Sequence, residues 1–382
     1  MRFATGVLSM LGVLATGHAA DIFVPADHPT VQDAIDAASN GDRVFVSPGT
    51  WTGTGESVVD FRGKEINVRA TGDAADTVLD GEGVRHVVLM TSGETASTSL
   101  EGFTVTRGTG VDGGGILIQN GSPVILNCTV RDNVATNHGG GIAAIGGSAV
   151  IRSCVIHQNE GDWGGGLFLR YGTPSVEATT LSSNTADVGG GGFQHEVDAA
   201  TWDACTFNAN LAELGGGVFH LHHSDPIAVS TFQDCIFTGN HAVLYGGGIG
   251  LEWGALNIID CQVTNNTAGQ FGGGLNLLQT LTNVWNTTVC GNSPDQFGDV
   301  SSTTFHSFAF VGPDCPSPKG PCCVLGCTET TEADCLALGG TWLGEGSTCE
   351  TCPPLCPSDA NGDGVINIDD LLALLSLWGP CP

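Results

Sequence analysis

Residues 128–169 read CTVRDNVATNHGGGIAAIGGSAVIRSCVIHQNEGDWGGGLFL, and the second half of this stretch repeats the plan of the first. Cys128 returns as Cys154, Asn133 as Asn159, and the glycine run at Gly139 as the run at Gly164. Working outward in both directions, triple glycines begin at Gly113, Gly139, Gly164, Gly190, Gly215, Gly246 and Gly272, 25 to 31 residues apart. Asparagines stand at 133, 159, 184, 210, 240, 266 and 292. Five residues before each is a cysteine or threonine: Cys128, Cys154, Thr179, Cys205, Cys235, Cys261 and Thr287. Three registers sharing one period define an array of structural units.

Within a unit, apolar residues alternate: Val124, Ile125, Cys128, Val130 in one, Phe232, Cys235, Phe237 in another. Short alternating runs bounded by glycine and asparagine predict two or three short strands per unit and no helix. Such a unit buries its apolar face only by stacking on its neighbours. The glycines then mark a sharp corner with left-handed backbone. The asparagine column predicts amide ladders from coil to coil, and the cysteine column predicts small apolar groups pointing inward.

The pattern of an apolar residue, two spacers, Asn and then Gly-Gly-Gly-Ile resembles the repeats of right-handed parallel β-helix proteins, and especially bacterial polymorphic outer-membrane proteins. Residues 22–51, IFVPADHPTVQDAIDAASNGDRVFVSPGTW, are similar to the amino-terminal cap of pectin-lyase-like β-helices. The resemblance implies an all-β, right-handed parallel β-helix solenoid, with a short capping helix over Thr30–Ala38. It covers residues 21 to about 312 and carries no particular activity, because the fold hosts lyases, hydrolases, esterases, adhesins and inert surface proteins.

Arg2, the apolar run Val7–Ala15 and the small residues ending at Ala20 predict a cleaved export signal over residues 1–20. No later run is long enough for a membrane-spanning helix. No terminal series of barrel strands follows, so the polymorphic-protein secretion route is not expected. Forty acidic against 11 basic residues give a net charge of −29, which excludes nucleic acid as a natural partner. The expected location is the cell surface or the extracellular medium.

The remaining organisation is a cap with first coils over 21–99, repeats over 100–312, a cysteine-rich module over 313–353 and a tail over 354–382. Of 15 cysteines, ten run from Cys290 to Cys381, a density that predicts disulfides in an oxidising compartment. Position suggests Cys290–Cys315 and Cys356–Cys381. In the tail, Asp359, Asn361, Asp363, Asn367 and Asp370, with the Val365 carbonyl and Gly364 at the turn, have the oxygen-ligand spacing of an EF-hand calcium loop. The loop resembles a dockerin repeat, yet one copy stands where dockerins carry two, which weakens docking to a cohesin.

Candidate site residues lie after the glycines. Counting four on from each run gives Gln119, Ile145, Arg170, Glu196, Leu221, Glu252 and Leu278, with Tyr171, His222, His223 and Trp253 beside them. Arg170, Glu196 and Glu252 are the catalytic candidates, and Tyr171, His222 and Trp253 the ligand-binding ones, since aromatic faces stack on sugar rings. The same count puts His195 and His220 at an inward third position. The preferred function is a carbohydrate- or surface-binding module. The alternatives are a polysaccharide lyase or glycoside hydrolase working on this face, or a structural spacer.

Overall fold

The computed structural model describes residues 19–222, 229–298, 304–312, 315, 319–323, 327–331 and 341–342. The chain divides into two compact units, Met1–Cys315 and Pro316–Pro382. The first is a right-handed parallel β-solenoid of about ten turns. The second contains a short antiparallel pairing of Lys319–Cys323 with Cys327–Thr331 and with Thr341–Trp342. Residues 1–18 of the expected export signal, the expected calcium loop and the expected Cys356–Cys381 pair lie outside the described residues.

A typical coil contributes four short strands rather than two or three, for example Leu167–Arg170, Ser175–Glu177, Thr180–Ser182 and Thr185–Val188. Each pairs in parallel with its counterpart one coil on, as in Leu167↔Gly192, Val176↔Trp202 and Leu181↔Phe207. The fourth strands form a separate seven-stranded sheet. They were hard to see in the sequence because three or four residues such as Glu160–Trp163 alternate too briefly to register.

The strands are short because each ends at a left-handed corner. One such corner falls at Asn127, Ser153, Ala178, Ala204, Asp234, Asp260 and Asn286, all with φ between 44° and 53°. The next residue in every coil is the inward cysteine or threonine. Its side chain donates to the carbonyl two residues back: Cys154 Sγ to Arg152 O at 3.3 Å, Thr179 Oγ1 to Glu177 O at 2.9 Å, and Cys235 Sγ to Gln233 O at 3.2 Å. The asparagine column is buried and fully satisfied. Asn159 Nδ2 donates to Asn184 Oδ1 at 3.0 Å and to Val130 O at 2.9 Å, and its Oδ1 accepts from Asn133.

Each glycine of a run has its own necessity. Gly164 has φ +73°, a Cβ on Gly165 would sit 2.3 Å from the Thr185 carbonyl, and one on Gly166 would sit 2.9 Å from Asn184 Nδ2. Helix α1 (Val31–Ala37) covers the first coil with Val31, Ala34 and Ile35, capped by Thr30, whose hydroxyl accepts from Asp33 N. At the far end Cys290 and Cys315 are joined in a disulfide. Among the described residues, no helix is long and apolar enough to cross a membrane.

Candidate functional site

The strand after each glycine corner has two inward and two outward positions. In the coil of Leu167–Arg170, Leu167 and Leu169 join the main core. Phe168 and Arg170 face the other side, and Phe168 belongs to a second apolar cluster with Leu117, Ala143, Phe193 and Phe219. Phe168, Phe193 and Phe219 stack at centroid separations of 5.6 and 5.9 Å. Trp163 meets Phe193 edge-on at 5.2 Å, and His138 lies 4.2 Å from Phe168. The last residues of the fourth strands therefore close over these rings and form an aromatic seam between the two sheets. The sequence reading missed it; the available signal was the repeated phenylalanine two residues past the glycines.

Strand register corrects the count that placed Glu196 in the outward column. The run at this coil holds four glycines, and the left-handed corner is Gly189, with φ +69°. Gly191 then pairs onward with Gly217 by close approach, and Gly192 takes the slot of Leu167 and Val218. The outward column is Arg170, His195, Leu221 and Glu252. His195 is thus not inward; the inward neighbour of His220 is Gln194.

Glu196 instead occupies the following corner, in one column with Tyr171, His222 and Trp253. Tyr171 N donates to Glu196 O, and Glu196 N to Leu221 O. Glu196 Oε2 lies 3.9 Å from His222 Nδ1, with the two side chains 12% and 4% accessible. Arg170 lays its guanidinium over the Tyr171 ring, 4.7 Å from the centroid. Glu252 lies in the other column, where its charge adds to burial in raising the Tyr245 phenol. The structure thus brings Arg170 to Tyr171 and Glu196 to His222, but does not assemble Arg170, Glu196 and Glu252 into one centre. His223 lies outside the described residues.

Two features of the corner column stand out. Tyr171 and Trp253 are 47% and 44% exposed, and both hold φ of 58°, a conformation costly for bulky side chains. Between them on the inner side lies a polar pair in an apolar core. His220 Nδ1 meets Gln194 Oε1 at 3.0 Å, while His220 Nε2 and Gln194 Nε2 are buried without a partner. Because an amide oxygen only accepts, Nδ1 carries the proton and Nε2 the lone pair. Burial, with the nearby His222, holds the His220 imidazole down to about 3.

Further along the seam, His138 Nδ1 pairs with Asp112 Oδ1 at 2.6 Å, and Asn137 Nδ2 donates to the same oxygen. Among the described residues, no group of three histidine, cysteine or acidic side chains is placed to hold a metal ion.

In overall course the chain is similar to several solved structures. One is the pectate lyase Pel9A, at 15% identity over 74% of this chain and 75% of that one, with a TM-score of 0.48. Another is the pectin methylesterase from carrot, at 10% identity over 76% and 89%, with a TM-score of 0.45. A third is the pectin methylesterase from Aspergillus niger, at 11% identity over 76% and 90%, with a TM-score of 0.41. No curated protein sequence matches. The family model for the right-handed β-helix region matches residues 87–292. With parallel coils in register over that whole span, the chain belongs to the right-handed β-helix region family.

Proposed function

We propose that this is an exported β-helix protein that binds carbohydrate through the corner column carrying Tyr171 and Trp253. One observation carries the reading: two large aromatic rings stand in solvent on strained left-handed corners. Elsewhere in that column the chain uses Asn120, Gly146 and Glu196, residues that fit the corner or bury there. An exposed ring on a fixed backbone is the element that stacks on a sugar face at little entropic cost.

The test is a glycan array probed with the full chain, followed by titration of the best ligand into Tyr171→Ala and Trp253→Ala. Each substitution should weaken binding by about 3- to 10-fold. Unchanged affinity in both would remove the column from consideration. The assays should run alongside measurements of reducing ends and of unsaturated products, which this reading expects to stay flat. Glu196 and Glu252 do not face one another, so the hydrolase and lyase alternatives gain nothing from the geometry.

The tail completes the proposal. Residues 1–20 direct export, and Asp359, Asn361, Asp363, Val365, Asn367 and Asp370 bind one calcium ion and order a segment used for attachment or sorting. Calorimetric titration of the full chain with calcium should show a site that Asp363→Ala abolishes; an identical isotherm for the variant would refute the loop as the ligand set.

A further inference from the structure

Removal of the leader and closure of the first coil meet at one atom, the backbone nitrogen of Ala20. The leader proposed above ends on Gly17-His18-Ala19-Ala20, where two bonds lie open to a signal-type protease. Such a cut takes small residues at the first and third positions before the bond. The Ala19–Ala20 bond has Ala19 and Gly17 there, whereas the Ala20–Asp21 bond has Ala20 and the bulkier His18.

The structure separates the two bonds on independent grounds. Ala20 already belongs to the first coil: its N–H donates to Asp42 Oδ1 at 2.7 Å, and its carbonyl accepts from Arg43 N at 2.8 Å. The second contact continues directly into the parallel pairing of Asp21–Val24 with Arg43–Val46. A cut after Ala20 would take both away and leave a carboxylate that is only 9% exposed short of a donor. A cut after Ala19 keeps both.

That cut also changes what the nitrogen is. Hydrolysis puts the water oxygen on the Ala19 carbonyl carbon, and the peptide becomes a carboxylate and an ammonium with no further reactant. The Ala20 nitrogen, a neutral donor in the uncut chain, then carries a positive charge at hydrogen-bond distance from Asp42. Asp42 is prepared for it. The N–H groups of Ala20 and Ser39 hold its carboxyl below the usual range, against the effect of burial. Its Oδ2 accepts from Ser39 N at 2.8 Å, one residue past the helix cap at Ala38. The cations nearby are engaged elsewhere: Lys64 Nζ donates to the carbonyls of Ile35, Asp36 and Ala38, each at 2.7 Å, and Arg43 pairs with Asp21. One carboxylate thus ties the start of the first strand to the end of helix α1.

We propose that the leader is removed at the Ala19–Ala20 bond and that the α-ammonium released there forms an ion pair with Asp42. The pair holds the first strand to the capping helix more firmly in the mature chain than in its precursor. This rests on the export reading above and adds the bond that is cut and the role of the new terminus.

The experiment expresses the full chain with its leader in a secreting bacterium and reads the start of the exported product by intact mass and terminal sequencing. It should begin at Ala20. The mature protein is then compared in thermal unfolding with the same chain carrying about six extra residues before Ala20. These move the terminal charge up to about 20 Å away, beyond the Debye length of about 8 Å. The mature form should melt about 2–4 °C higher. Asp42→Asn should remove that gap, although it lowers both forms through the Ser39 bond. The gap is read on the native sequence, so the test stands even if the variant fails to fold. A product starting at Asp21 or beyond would overturn the assigned bond. A product starting at Ala20 with no gap, or a gap that persists in Asp42→Asn, would overturn the ion pair and leave the cut standing. Recovery of the chain only with Met1 still attached would remove the export reading itself, and this inference with it.

Discussion

At the scale of the residue, the instructive position is the one filled by Cys128, Cys154, Thr179, Cys205, Cys235, Cys261 and Thr287. The substitution of threonine for cysteine looked like indifference to chemistry, and the column therefore read as a set of small apolar plugs. The structure gives the alternation a positive reason. The preceding left-handed corner turns a carbonyl back toward the core, and a thiol or hydroxyl at this position donates to it. Cysteine and threonine are the small side chains that both fill the space and donate. It follows that Cys235→Thr should be tolerated, while Cys235→Ala should cost about 1 kcal/mol through loss of the second donor to the part-buried Gln233 carbonyl, which keeps its bond from Ala204 N, together with lost packing. Denaturant unfolding of both variants checks this; equal losses would return the column to simple packing. The asparagine ladder was legible in advance because a repeated buried amide has few alternatives to pairing with its own kind. The donor role of the thiols was not, because it depends on a backbone corner that leaves no mark on the cysteine itself.

The element scale shows where counting along a sequence fails. Glycine marks the corner, but a run of four glycines does not say which three are needed. Only the pairing of Gly192 with Leu167 and Val218 settles the frame. One residue of slip sent Glu196 to the wrong column and His195 to the wrong face, as expected where side chains alternate between faces. It also concealed Gln194, which stands at the inward position beside His220, where neighbouring coils carry Leu169 and Leu251, whereas the inward placement of His220 itself holds. The pair satisfies one bond and leaves two polar atoms buried without partners. The double substitution Gln194→Leu with His220→Leu should therefore stabilise the solenoid by about 1–3 kcal/mol.

A pH dependence accompanies the pair. The His220 pKa is depressed from 6.5 to about 3 in the folded protein, so below pH 6.5 the unfolded chain takes up a proton that the folded chain refuses. Stability should fall as pH drops from 6.5 toward about 3, by up to about 1.4 kcal/mol per pH unit from this group, and level off below. The double variant should show a flatter profile over that window in thermal or denaturant unfolding; an unaltered profile would assign the dependence to other groups.

For the whole molecule, the architecture was legible from the period alone, since a 26-residue unit of short strands has no stable solution except stacking. The capping helix and the Cys290–Cys315 pairing were also within reach, one from its amphipathic pattern and the other from its place at the end of the repeats. The aromatic seam was not, because it joins strands from opposite ends of the repeat. A protein with five buried thiols outside any disulfide keeps them inert. Burial does this for Cys128, whose thiol it pushes up to about 11, and for Cys154, while hydrogen bonding to Cys205 and Cys261, with burial, raises Cys235, and a thiol reacts as its thiolate. Alkylation of the native protein with peptide mapping should leave Cys128, Cys154, Cys205, Cys235 and Cys261 unmodified, and denaturation should expose all five together. Rapid labelling of any one in the native state would show that its coil opens locally.

The amide ladder has a further implication for how such a protein changes in length. Every Asn Nδ2 points to the next coil and every Oδ1 to the previous one, from Asn133 through Asn266 to Asn292 and finally Gln296. Any asparagine can therefore follow any other, and removal of one complete coil rejoins the series without a broken bond. Deleting residues 184–209 would place Asn210 directly after Asn159 and bring Trp253 one coil nearer to Tyr171. The solenoid then behaves as a ruler graduated in coils. Its reading, the spacing between the Tyr171 and Trp253 corners, would fall by one strand spacing, about 4.8 Å.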